Sequence, residues 1–460
     1  MTEQSKGRLV VVGGDAAGMS AASQAKRRYP DMEVVVLEKD QYISYAACGM
    51  PYMVSGVVRD ADDLFALRIE DAINKRKLDV RLGHEVLSID PADKKVRFRI
   101  AETGLTDDIS YDACVIATGA EPIVPPVPGS DLEGVLVLRS YGSGLAVRKY
   151  VDQHAPQAGV VVGAGLVGLE MAEALTLRGV KTTVLEMAPG PILGLVPELS
   201  RVIEEELASH GVTLLFQTAL ERVEGVDGRV REVHGGSETF PAGLVLLSVG
   251  VKPASALARA AGVDLGVRGA IHVDERAATS VPGLFSAGDC AEQVHGITGK
   301  PVFIPQALSA NRQGRVAGAN AAALIVGKEM TETNPPAYGT IVTKVFDKAV
   351  ALAGLTLLEA QRAGFDADVV VIKSRSKAHY YPDATPLHVA LVFEKGTGRV
   401  LGGQLVGSPD AVKRIDVVVT AMSAGLDLEQ LSRLDLAYAP PFAPVWDPLL
   451  VAANVGKKKI

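Results

Sequence analysis

Apolar and small residues fall twice along this chain into the same order: an apolar run, a glycine turn, a small-residue helix, and a second apolar run closed by glutamate. In the first copy, Arg8–Val12 reads as a strand and Gly13-Gly14-Asp15-Ala16-Ala17-Gly18 as the turn. Met19–Arg28 then reads as a helix, and Glu33–Leu37 as a strand ended by Glu38. The second copy runs Val160-Val161-Val162, then Gly163-Ala164-Gly165-Leu166-Val167-Gly168, the helix Leu169–Arg178, and Thr182–Leu185 ended by Glu186. Short unbroken apolar runs predict strands buried on both faces, and strand–helix–strand order predicts parallel pairing.

Each turn has the glycine spacing that lets a backbone approach a dinucleotide's pyrophosphate, with a carboxylate placed to meet a ribose hydroxyl. The second turn is complete. The first has Asp15 at its middle glycine, and Glu38 follows 20 residues after Gly18. Between the copies, Tyr111–Ala120 reads as a buried strand ending in a small-residue turn at Thr118-Gly119, and Pro122–Pro128 as a crossover between domains. Leu244–Gly250 repeats the strand-to-glycine pattern, and Thr279–Cys290 carries Asp289 at the end of another strand. From about Pro335 the chain changes to alternating strands such as Ala349–Leu352, Ala367–Lys373 and His388–Phe393. The expected fold is α/β: two doubly wound, Rossmann-like, three-layer domains and an α+β C-terminal domain. The divisions fall at 1–120 with 252–330, at 121–251, and at 335–460.

The 460 residues, 48% hydrophobic and 22% charged, suffice for about two to four domains. A net charge of −7 gives no basic surface for nucleic acid. No apolar run reaches the roughly 18 residues needed to span a bilayer, and the N-terminal stretch runs into a strand rather than reading as a signal peptide. Lys457–Lys459 reads as a solvated tail. Cys48, Cys114 and Cys290 are too few and scattered for a disulfide scaffold. A cytoplasmic protein without a metal site is expected.

The candidate reactive group is Cys48, in Ser44-Tyr45-Ala46-Ala47-Cys48-Gly49-Met50-Pro51-Tyr52. Gly49 and Pro51 bend the chain after it and suit a thiol at the mouth of a helix. There N–H groups and the helix dipole would hold a thiolate, with a pKa below the usual ~8.5. Taken alone, the stretch reads as a small buried cysteine in a turn; the nucleotide motifs on both sides favour the redox reading. Glu186 would also repel a 2′-phosphate, and Met187–Gly190 supplies no basic residue to offset it, so NADH is expected in preference to NADPH.

Together these motifs resemble the FAD- and NAD(P)-dependent pyridine nucleotide-disulfide oxidoreductases over nearly the whole chain. The resemblance implies FAD bound by Gly13, Gly14, Ala17, Gly18, Glu38, Lys39, Thr118, Gly119, Gly288 and Asp289. It implies NAD(P)H bound by Gly163, Gly165, Gly168, Glu186 and Gly250, and a homodimer formed by the C-terminal domain. The two-cysteine branch has a cysteine pair five positions apart, but Met53 and Ile43 stand at those distances from Cys48. No histidine follows His388 to serve as that branch's base. The chain therefore resembles the single-cysteine branch. Within it, the Cys48 segment, Tyr380-Tyr381-Pro382 and Tyr438-Ala439-Pro440-Pro441 are similar to coenzyme A-disulfide reductases.

That similarity implies that Cys48 cycles through a mixed disulfide with a small-molecule disulfide such as that of coenzyme A. It implies that Tyr381 or Tyr438 of the partner subunit supplies the proton, and that Ser20, Gln24, Arg27, Ser44, Arg76, Asn311, Lys377 and Trp446 contact the substrate. Three positions depart from the pattern: Ala47 replaces an asparagine, Lys377 a histidine and Trp446 a basic residue. Peroxidases and water-forming oxidases of the branch carry a histidine where Ala16 stands. The other activities weighed are an NADH oxidase or a persulfide/polysulfide reductase. From a different class, a non-catalytic flavoprotein acting as redox sensor or electron carrier is the alternative.

Overall fold

A computed structural model describes residues 7–460. Arg8–Val12 pairs in parallel with Glu33–Glu38 on one side and with Ala113–Ile116 on the other. Asp79–Leu82 extends the sheet beyond Glu33–Glu38, and Leu284–Ser286 closes it beyond Ala113–Ile116. Alternate residues of the central strand serve opposite faces. Leu9 and Val11 pack under the helices Ala16–Arg28 and Ala307–Ile325, whereas Val10 and Val12 pack against Phe98, Val96 and Ile109. The second face is thus covered by an antiparallel ribbon, His84–Asp90, Lys95–Ile100 and Thr106–Ser110, rather than by helices. The two covering helices meet backbone to backbone: a Cβ at Gly314 or Gly318 would lie 2.2 or 2.1 Å from the carbonyl oxygens of Ala17 and Ala21.

The second unit repeats this plan. Its parallel sheet runs Thr213–Leu215, Lys181–Leu185, Ala158–Val162, Leu244–Leu247 and Val135–Val137, with a three-stranded antiparallel sheet from Leu220 to Pro241 on one face. Both nucleotide-turn helices start three residues before the apolar pattern indicated, at Ala16 and Leu166, because the last turn positions already form the first helical turn. The two units are joined by a narrow antiparallel ribbon, Ala120–Pro122 against Val251–Pro253, at the start of the proline-rich crossover.

The third unit is a five-stranded antiparallel sheet in the order Ile341–Val345, Lys348–Gly354, Val400–Gly407, Pro386–Glu394, Ala367–Arg375, covered by helices including Ile415–Ser423 and Pro448–Gly456. It docks on the second unit through Gln404, which accepts from the Val196 N–H (2.8 Å) and donates to the Gly194 carbonyl (2.8 Å). Two of the three lysines at the C-terminus are held, while Lys458 is exposed. Lys457 bonds Glu429 at 2.6 Å and Ser432 at 3.0 Å, and Lys459 donates to the Val369 carbonyl at 2.7 Å, so these cations cap a helix-covered edge. Among the described residues no helix is long and apolar enough to cross a membrane.

Candidate active site

Both nucleotide turns are built by the same contacts. Gly13 and Gly163 sit at φ 106° and 105°. A Cβ on either would lie 2.3 Å from a carbonyl oxygen, of Ala117 and Ser248 respectively. Gly18 and Gly168 bring the helix against the strand; a Cβ there would meet the carbonyls of Gly13 at 1.8 Å and Gly163 at 2.0 Å. Each glutamate then clamps its turn. Glu38 accepts the N–H of Gly14 (2.6 Å) and of Asp40 (2.8 Å), and Glu186 accepts those of Ala164 and Ala188 (both 2.7 Å). Burial pushes the Glu38 carboxyl above its ordinary pKa. No side chain caps either following helix, so N–H groups at both N-termini are left for an anion. At Gly165 a Cβ would meet nothing within 4 Å, which leaves a cradle open to a phosphate. Both turns fit an adenine dinucleotide.

The remaining nucleotide-motif residues spread along the crevice. Ala17 is buried and Lys39 exposed. Thr118 turns its hydroxyl to the Ala254 carbonyl (2.6 Å), so it holds the ribbon between the units. Gly119 and Gly250 take φ 70° and 105° at the two ends of that ribbon. The Gly288 N–H donates to Gln313 (2.9 Å), and Asp289 forms an ion pair with Arg139 (2.8 Å). Arg139 also donates to the Ala120 carbonyl at 2.9 Å. It is a site residue that sequence reasoning missed, because its partner lies 150 positions away and no motif marks it.

Cys48 is exposed, whereas Cys114 and Cys290 are buried. The thiol sits in the 3₁₀ turn Ala47–Gly49, followed by the short helix Met50–Ser55. Ser44 takes φ 46°, and its N–H donates to the Gly14 carbonyl at 3.0 Å. Ala46 donates to the Leu64 carbonyl at 2.7 Å. Tyr45, Tyr42 and Phe65 all pack on Tyr141, with centroids 5.7, 4.6 and 4.9 Å from its ring.

The expected depression of the Cys48 pKa is corrected by this geometry. The thiol is pushed up, by desolvation first and then by the carboxylates of Glu170 and Asp289. The residue is open to solvent, so the desolvation comes from the crevice walls. The helix after it has only six residues, too short a stack of peptide dipoles to reverse these effects. Glu170 belongs to the second unit, accepts from the Thr343 hydroxyl at 2.7 Å, and is itself pushed up by burial. It lines, with Pro51, Tyr52, Ser55, Glu173 and Lys344, a crevice of about 260 Å³ beside the Cys48 loop.

The expected substrate residues fall into two groups. Ser20, Gln24 and Arg27 share one stripe of the first helix. Ser20 donates to Asn311 (2.7 Å), Arg27 to Gln24 (2.9 Å), and Arg76 reaches the neighbouring Ser23 (2.7 Å). Ser44 lies in the Cys48 segment and is tied to the first turn at Gly14. Lys377, Tyr381, Tyr438 and Trp446 lie in the third unit, where Tyr380, Tyr381, Tyr438, Phe442 and Trp446 are exposed. Lys377 sits over the Tyr381 ring at 5.9 Å, and a hydrogen bond with Tyr380 pushes the Tyr438 hydroxyl upward. Arg414 staples the two tyrosine-bearing segments: it pairs with Asp447 at 2.7 Å and donates to the carbonyls of Ser376 (3.1 Å) and Phe442 (2.9 Å).

Two dinucleotide turns in successive units, with one accessible thiol on the loop against the first, define a nucleotide-dependent thiol oxidoreductase. The chain belongs to the pyridine nucleotide-disulphide oxidoreductase family, whose model matches residues 7–314, and the family's dimerisation domain matches residues 341–448. The family works with FAD and NAD(P)H. The chain is 39% identical to the NAD(P)H coenzyme A polysulfide/persulfide reductase of Pyrococcus horikoshii, over 99% of this chain and all of the relative. The structure of a NAD-dependent persulfide reductase from A. fulgidus superposes with TM-score 0.93 at 38% identity, covering 98% of this chain and 83% of that one. Reduced Bacillus anthracis CoADR-RHD superposes with TM-score 0.93 at 34% identity, covering 98% of this chain and 80% of that one.

Because Glu170 is the leading charge holding the thiol up, Glu170→Gln should lower the Cys48 pKa and speed its alkylation at neutral pH about two- to fivefold. The pH profile of iodoacetamide labelling checks this.

Proposed function

We propose that the protein reduces a small-molecule disulfide, that of coenzyme A or a related persulfide or polysulfide, with Cys48 as its single redox-active thiol and NADH as electron donor. The observation that carries this is the isolation of Cys48: it is the exposed cysteine, and the other two are buried in the sheet core. With no partner thiol, its oxidised form is a mixed disulfide with a small thiol or a sulfenic acid, and a disulfide substrate gives the first. The Cys48 thiolate, left by reduction of the mixed disulfide in the preceding turnover, attacks one sulfur, the substrate S–S bond breaks, and one half leaves as a thiolate that takes a proton. The mixed disulfide left behind accepts two electrons, restoring the Cys48 thiolate and releasing the second half as a thiol. FAD held at the first turn, with its Asp289–Arg139 edge, would relay those electrons from the nicotinamide.

In this reading residues 1–120 and 252–330 hold FAD, 121–251 hold the nicotinamide dinucleotide, and 335–460 form a homodimer. The exposed aromatic cluster supports the dimer, since Phe442 is 74% and Trp446 62% exposed in a single chain. Two-fold packing would carry Tyr381 or Tyr438, with Lys377 and Trp446, to the partner's Cys48, where a tyrosine hydroxyl protonates the departing thiolate. Ser20, Gln24, Arg27, Ser44, Arg76 and Asn311 would hold the rest of the substrate; Arg27 and Arg76 suit phosphates.

Cys48→Ser should abolish turnover of coenzyme A disulfide and polysulfide, by at least about a thousandfold, while leaving NADH-dependent reduction of an artificial flavin acceptor. Steady-state assays of both proteins on coenzyme A disulfide, polysulfide, oxygen and peroxide check this. Retention of disulfide turnover by the variant would overturn the thiol mechanism and favour a flavin-only oxidase or electron carrier.

Multi-angle light scattering should return twice the chain mass at assay concentrations. An active monomer would remove both the dimer and the shared site.

The donor preference follows from Glu186. Of the two basic candidates, Arg178 is already held by Asp152 and by the Val54 carbonyl at 2.9 Å, and Lys181 stands at the opposite end of its strand from Glu186. NADH should exceed NADPH in kcat/KM by roughly 10- to 100-fold. Equal or better use of NADPH would refute this role of Glu186.

A further inference from the structure

The two nucleotide turns differ at their middle position, where the second has Gly165 and the first Asp15. The Gly165 side leaves its phosphate cradle free of side chain. Asp15 occupies the N-cap position of its helix at φ −97°, ψ −155°, where an aspartate ordinarily accepts an N–H from the second or third helical residue, yet it makes no such bond. Its Oδ1 is buried and has no partner. The groups that act on it are the backbone N–H of Ala16 on its own helix, that of Tyr45 on the Cys48 loop, the Arg139 guanidinium and the Asp289 carboxylate. The Tyr45 phenol feels the charges of Asp15 and Glu38 in turn. Burial outweighs the groups that favour ionisation and pushes the Asp15 carboxyl up to about 6.

An orphaned carboxyl oxygen at the turn that receives a diphosphate has two possible states. Ionised, it sets its charge against the phosphates in a crevice where water screens poorly. Protonated, it becomes an O–H donor to a phosphate oxygen, and the unpartnered site is satisfied. Resting on the FAD reading of the first turn, we propose that Asp15 holds the flavin diphosphate as a neutral carboxylic acid, so that cofactor binding takes up one proton. The diphosphate diester is fully ionised at neutral pH, so the proton has to be carried by the protein. The sign follows from linkage. The free protein keeps the proton up to a pH of about 6 and the complex keeps it to higher pH, because the bound phosphates raise the pKa further. Affinity is therefore level below that value and weakens about tenfold per pH unit above it, until the complex itself deprotonates.

The test is calorimetric titration of the full-length protein, stripped of flavin, with FAD. It runs from about one unit below to about two units above that pKa, in two buffers of different ionisation enthalpy. The expected result is uptake of about one proton per FAD in the upper range, with the tenfold slope. Asp15→Asn, a neutral donor of the same shape, should bind FAD with no proton uptake and a flat profile. Flavin bound by the natural protein without proton uptake, or the same slope in Asp15→Asn, overturns this inference and leaves the cofactor reading standing. Folded protein that takes up no flavin at any pH overturns both.

Discussion

The amide of Ser44 donates to the carbonyl of Gly14 across 3.0 Å, and with Ser44 at φ 46° the chain reverses there. A left-handed conformation costs a non-glycine residue about 1 kcal/mol or more, so the surroundings must over-determine it. They do: the Ser44 carbonyl accepts the Ala66 N–H at 2.8 Å, and the aromatic group around Tyr141 backs the segment from beneath. The position of the Cys48 thiol relative to the first nucleotide turn is thereby fixed through backbone, not through flexible side chains. A cysteine four residues from such a bond has little room to drift.

The crevice that this bond organises is crowded with carboxyl groups. Asp15, Glu38 and Glu170 are all held toward their neutral forms by burial, and Asp289 is paired with Arg139. Cys48 shares that field and is held as a thiol. The local electrostatics therefore oppose further negative charge in the crevice.

Much of this was legible in the sequence because it is encoded locally. Gly13, Gly18, Gly163 and Gly168 are needed for contacts within a single strand–turn–helix, and Glu38 and Glu186 clamp turns of their own units. The pairing of Tyr381 and Tyr438 segments was readable only as two separate motifs. Arg414, which binds both segments, gives no signal, since a lone arginine's partners cannot be inferred from spacing. Arg139 was invisible for the same reason. The Cys48 pKa was misjudged because the crevice walls that desolvate the thiol, and after them Glu170, come from elements distant in the chain, and spacing shows only the adjacent helix. The solvated lysine tail failed in part: Glu429 and Val369, which hold Lys457 and Lys459, come from separate elements, and Lys458 is exposed.

The interrupted first sheet also sets an order of assembly. The second unit's parallel strands lie within one contiguous stretch, from Val135 to Leu247, and can all pair as soon as that stretch emerges. The first sheet cannot close until Leu284–Ser286 arrives, about 170 residues after its partner Ala113–Ile116, and its covering helix Ala307–Ile325 comes later still. At ribosomal speeds of about 5–20 residues per second that is a delay on the order of ten seconds or more. Throughout it, the apolar strand Ala113–Ile116 stands as an open edge. On the ribosome the inner unit is complete first, and the outer one closes around the finished ribbon at Ala120–Pro122. Synthesis thus imposes an order of strand availability that a chain refolding from its full length does not face.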